Sequence, residues 1–96
     1  MYRLTEAAAS DIEEMLERSL LDFGEKRTQT YYDALARCLA LLGANPEMGV
    51  TAEDIRPGYR RFAHESHVVF YTIDDEGVLI VRVLHKRMDA TRHLPE

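Results

Sequence analysis

Between Tyr59 and His85 three short runs interleave basic residues with aromatic and β-branched ones, and their reading as three consecutive strands constrains the fold most. His67–Asp74 sets Val69, Tyr71 and Ile73 on one side and Val68, Phe70 and Thr72 on the other. Asp75-Glu76-Gly77 is a turn signal. Strict alternation over Val78–His85 then puts Leu79, Val81, Val83 and His85 on one face and Ile80, Arg82 and Leu84 on the opposite face. Tyr59–Ala63 reads as a preceding strand. Three consecutive antiparallel strands are expected.

The first half has the other period. Ala8, Ile12, Met15, Ser19 and Phe23 recur at steps of three and four, widened by Leu16 and Leu20; Thr5 offers an N-cap, and Ser10 with Glu13 a second capping-box candidate. A second stripe runs through Thr28, Tyr31, Leu35, Cys38 or Leu39, and Leu42. Gly24 separates the two, and Gly43 with Asn45-Pro46 ends the second. So short a link implies an antiparallel helix hairpin, whose stripes require a further apolar surface that the sheet can supply. Tyr2-Arg3-Leu4 reads as a short first strand, residues 44–58 as a loop, and Lys86–Glu96 as a helical turn or a frayed tail. The expected class is α+β, one domain over residues 1–96.

Ninety-six residues bury roughly 60–65% of the surface of the unfolded chain, which leaves little stability to spare and makes an obligate partner plausible. No apolar run reaches the ~18 residues that cross a bilayer. A single cysteine and a start without a signal peptide's apolar stretch fit a reducing cytoplasm. The net charge of −5 is uneven: residues 1–54 hold 5 Lys/Arg against 11 Asp/Glu, residues 55–96 hold 7 against 6, with all four histidines. The acidic half is a solvated helical face, and no dense basic stripe for naked nucleic acid is present.

His64-Glu65-Ser66-His67 lacks the four-residue helical spacing of a zinc protease and reads as turn and surface histidines, so no metal or cofactor is expected. Cys38 lies in an apolar stripe and reads as core. Arg56, Arg60, Arg61, Arg82, Lys86 and Arg87, interleaved with Tyr59, Phe62 and Tyr71, form a basic and aromatic set on the predicted sheet. Arg60 and Arg61 fall on opposite faces, as do Arg82 and His85. Leu20, Leu21 and Phe23 exceed what one stripe buries and suggest an apolar groove for a partner helix.

The order strand, helix, helix, three strands resembles the RelE/ParE toxin superfamily. The resemblance is carried by Asn45-Pro46 with Gly49, Ile55-Arg56-Pro57-Gly58-Tyr59-Arg60-Arg61-Phe62, Ser66-His67-Val68-Val69-Phe70-Tyr71, and Arg82-Val83-Leu84-His85 with Met88-Asp89. These segments are similar to ParE in particular. The resemblance implies the toxin of a type II toxin–antitoxin pair, a non-enzymatic poison of DNA gyrase neutralised by a ParD-like antitoxin whose C-terminal segment wraps it. Ribosome-dependent mRNA cleavage of RelE type is the alternative, because fold alone does not choose. A pure binding module without toxicity is a third. The absence of a tyrosine after His85 and the acidic net charge favour gyrase. On this reading Arg56, Tyr59, Arg60, Arg61, Arg82, His85, Lys86, Arg87, Met88 and Asp89 are the surface for target or antitoxin, and Leu20, Leu21 and Phe23 the antitoxin groove.

Overall fold

The computed structural model describes residues 1–95. Their order is β1 (Tyr2–Leu4), α1 (Glu6–Ala44), a 3-10 turn (Pro46–Met48), β2 (Val50–Thr51), β3 (Arg60–His64), β4 (His67–Asp74), β5 (Gly77–His85) and α2 (Ala90–His93). The α+β class and the strand–hairpin–strands order agree with the sequence reading.

Thr5 starts α1 as expected: its hydroxyl oxygen accepts from the Ala8 N–H at 3.0 Å. Gly24 adopts φ 85° and ψ 177°, a backbone conformation that side chains disfavour, and splits α1 into two arms. The arms run antiparallel, tied near the break by the Thr28 hydroxyl donating to Ser19 Oγ at 2.9 Å. Only the half of each arm far from Gly24 is buried. Ala8, Ile12, Leu35, Cys38, Leu39 and Leu42 enter the core, whereas Leu20 and Phe23, which continue the stripe, are exposed. Cys38 is a core residue, and burial raises its thiol pKa.

Among the described residues the sheet has five strands in the order β1-β5-β4-β3-β2, so the expected first strand joins the three expected later ones and β2 is the addition. β1 lies parallel to β5, and β2 adds two residues to the edge of β3. β2 falls within the expected loop, because a two-residue strand has no period to read. One face of the sheet packs Val69, Tyr71, Val78, Ile80 and Val83 against the helix arms. The other packs Phe70 and Leu84 under Leu94, with Ile55, Tyr59 and Ala90 around them. The C-terminal segment is therefore a lid on the second face, not a frayed tail.

Strict alternation fails in β5. Phe70 pairs with Arg82 while Tyr71 pairs with Ile80, so Val81 is the extra residue of a β-bulge. Val78 and Ile80 before the bulge share the helix-facing side with Val83 after it. The expected grouping of Val81 and Val83 against Ile80 is corrected by this one residue.

Tyr71 ties the 3-10 turn to the sheet. Its hydroxyl donates to the Pro46 carbonyl at 2.6 Å and accepts from the Gly49 N–H at 3.0 Å. Gly49 has no room for a Cβ, which would lie 2.6 Å from both the Arg61 carbonyl oxygen and the Tyr71 hydroxyl. Tyr71→Phe is expected to lower stability by about 1–3 kcal/mol, because both main-chain groups lose a buried partner. Urea unfolding of the two proteins checks this; an unchanged midpoint would refute the role.

Candidate functional site

Because the hairpin overhangs the sheet, a cleft of about 980 Å³ opens between the exposed half of α1 and the ends of β4 and β5. The first arm contributes Asp11, Met15 and Phe23. The second contributes Lys26, Tyr31 and Ala34. The sheet end supplies His67, Val83 and His85, with Met88 and His93 beyond it. Apolar and aromatic groups thus sit among charges of both signs, as in a surface that takes a protein segment.

The inner wall carries His67 and His85, with His64 next to them in the sheet, a row of imidazoles; the sequence reading placed His64 and His67 at turns and surfaces and His85 on the last strand. β3 and β4 pair His64 with His67, and β4 and β5 pair His67 with His85. The rings of His67 and His85 meet edge to face, with centroids 5.3 Å apart. The Tyr31 hydroxyl lies 3.3 Å from His67 Nδ1, and its ring is 5.8 Å from that of His64. Burial, helped by the charge of Glu65, pushes the Tyr31 hydroxyl pKa up to about 12, so it keeps its proton. Burial and the neighbouring His85 and His64 push the His67 pKa down, against a weaker pull from Asp11. Counting back from the two-residue turn in strict register sets His67 opposite Leu84. The bulge at Val81 brings His85 there, which is why this pair was not legible in the pattern.

Arg82 and His85 line the same cleft, against the expectation of opposite faces. Beyond the short β1, the outer edge of β5 has no strand beside it, and the long Arg82 side chain reaches round that edge. Its Nε and Nη2 donate to the two Asp11 oxygens at 2.7 and 2.8 Å, and Nη1 donates to the His93 carbonyl at 3.0 Å. Asp11 also accepts from the Val83 N–H at 2.9 Å.

The other predicted residues divide into locked and free. Arg56 donates to the Thr91 carbonyl at 2.8 Å and holds the C-terminal segment down. Arg60 donates to the Gly49 and Glu47 carbonyls at 2.7 and 3.2 Å and holds the 3-10 turn. Tyr59 packs in the second core, where burial raises its pKa. Asp89 caps α2 through the Thr91 hydroxyl and N–H, which lower its pKa. Arg61 has only a 4.0 Å contact with Asp54, and Lys86, Arg87 and Met88 are exposed. Leu20 and Leu21 are exposed outside the cleft; of the three groove candidates Phe23 alone lines it, with the Arg27 guanidinium 4.7 Å above its ring.

Two outcomes follow from this geometry. Arg82→Ala removes a partly buried bidentate pair and is expected to cost about 2–3 kcal/mol, read by chemical denaturation. His67 has a lower pKa folded than the ordinary ~6.5 of the unfolded chain, so the unfolded state takes up the proton first. Its contribution to stability is complete above that value and is lost as pH falls below it towards the folded pKa. Melting temperatures between pH 7.5 and 5.5 should therefore fall less steeply for His67→Asn than for the parent.

The chain was compared with known proteins. The family described as the ParE toxin of type II toxin-antitoxin system, parDE, matches residues 2–90. A relative called Toxin ParE1 from Mycobacterium tuberculosis is 37% identical over 94 residues, covering 97% of this chain and 96% of its own length. Toxin ParE1 from Caulobacter vibrioides is 38% identical over 93 residues, with the same coverage. A solved structure titled "Chromosomal ParDE TA system from P. aeruginosa" superposes with TM-score 0.77 over 88% of this chain and 92% of that one, at 15% identity, a likeness of fold. The chain belongs to the ParE toxin family of type II toxin–antitoxin systems.

Proposed function

We propose that this chain arrests growth by poisoning DNA gyrase in the cytoplasm and is neutralised by a ParD-like antitoxin. The family match over residues 2–90 carries this reading. The likeness in fold to a chain of a ParDE system supports an antitoxin partner. On this reading a segment of the antitoxin lies in the cleft, with Phe23 at its outer rim, and Arg61, Lys86, Arg87 and Met88 form the surface for gyrase.

Three of the arginines support a protein target over RNA cleavage. Stabilising a cleaved phosphate requires donors that are free to meet it. Arg56 and Arg60 donate to main-chain carbonyls, and Arg82 is spent on Asp11 and His93. One observation favours the RelE-type alternative: His67, His85 and Tyr31 converge on one cleft, and imidazoles so placed can move protons.

The test is the antitoxin-free chain with purified gyrase, relaxed plasmid and ATP, run beside ribosome-bound mRNA. Lost supercoiling with intact mRNA is the expected result; cut mRNA with normal supercoiling sinks the gyrase reading. Replacing Arg61 and Arg87 by Ala should reduce gyrase inhibition at least about tenfold, the scale of one lost charge-assisted contact, while the melting temperature stays put. Undiminished inhibition would move the target surface elsewhere.

A further inference from the structure

His85 Nδ1 accepts the main-chain N–H of Arg87 at 3.1 Å, which a protonated Nδ1 cannot do. His67 stands between His85 and His64 with the Tyr31 hydroxyl against its own Nδ1, so a proton on one ring opposes a proton on the next. The same bond that needs His85 neutral also shapes the turn carrying Lys86, Arg87 and Met88, where the Met88 N–H donates to the His85 carbonyl at 2.9 Å.

The charges around the row do not offset protonation. From α1, Asp11 faces it with both carboxylate oxygens already taken by Arg82, and Glu14 and Arg18 line the same wall. Lys26 and Arg27 of the second arm add positive charge. From the β3–β4 turn comes Glu65, and from α2 His93. At neutral pH the three carboxylates are met by four cations, one of them Arg82. A proton taken up by the row would add to this positive excess rather than balance it.

We propose that His67 and His85 are an acid-sensitive seat: the cleft holds an apolar stretch of the antitoxin while both imidazoles are neutral, and releases it when they take up protons. This rests on the antitoxin reading above. A segment over Met15, Phe23, Tyr31 and Val83 would cover the row and remove its remaining water. Desolvation disfavours the charged imidazole, so by linkage the bound complex excludes protons and affinity falls with pH. A displacement of one pKa unit on one histidine corresponds to a tenfold change in affinity once the pH lies well below both values.

Isothermal titration of this chain with its cognate ParD-type antitoxin tests the proposal. Affinity should be level from pH 8 to 7 and at least about tenfold weaker at pH 5.5. A variant carrying His67→Gln and His85→Gln should lose most of the change in affinity between pH 7.5 and 5.5, whatever its affinity at pH 7.5. Calorimetry of the parent at pH 6.0, in two buffers of different ionisation heat, needs no variant and should show protons released on binding. No binding at pH 7.5 would overturn the antitoxin reading and the proposal with it. Binding that stays level with pH, strengthens on acidification, releases no protons, or weakens equally in the double variant overturns the proposal and leaves the antitoxin reading standing.

Discussion

The Asp11 carboxylate holds three parts of the molecule at once. It takes two donors from Arg82 and the N–H of Val83, and Arg82 in turn bonds the carbonyl of His93. The first arm of α1, the open edge of β5 and the C-terminal segment are thereby fixed to one another. β1 covers that edge only as far as Ile80, and Thr5 follows with its N–H to the Ile80 carbonyl and its hydroxyl to Val81. A carboxylate in the first arm thus finishes the edge where the strand stops, which meets a need that exposed sheet edges otherwise leave open.

The cleft follows from that attachment. With one end of the hairpin packed on the sheet, the other end projects past it, and the stripe residues beyond Met15 have no sheet beneath them. Ser19, Thr28 and Tyr31 are only partly buried, and Leu20 and Phe23 are exposed. Amphipathic surface left uncovered on this scale in a small domain is a face open to docking. The arginines serve the same architecture. Arg56 clamps the lid over Phe70 and Leu84, and Arg60 clamps the 3-10 turn.

Much of this was legible in the residues. Thr5 as cap, Gly24 as break, the stripe through Leu35, Cys38 and Leu42, and the strand His67–Asp74 stand where the pattern put them. These are local matters, set by backbone freedom at one glycine or by the period of a dozen side chains. The family was legible as well, because its marks are short segments in a fixed order.

The site was less so. A one-residue bulge at Val81 moved every later residue of β5 to the other face and brought His85 opposite His67. No period announces a bulge, since it answers to the curvature of the sheet and the helix packed on it. The basic residues look alike as a list, yet Arg56, Arg60 and Arg82 are tied to carbonyls and a carboxylate 11 to 71 positions away, while Lys86 and Arg87 remain exposed. The sequence by itself determined the two helix arms, the four longer strands, their order and the family, because those depend on neighbours along the chain. Only the tertiary structure decided which imidazoles share a wall and which arginines are free, because hydrogen bonds between remote segments set both.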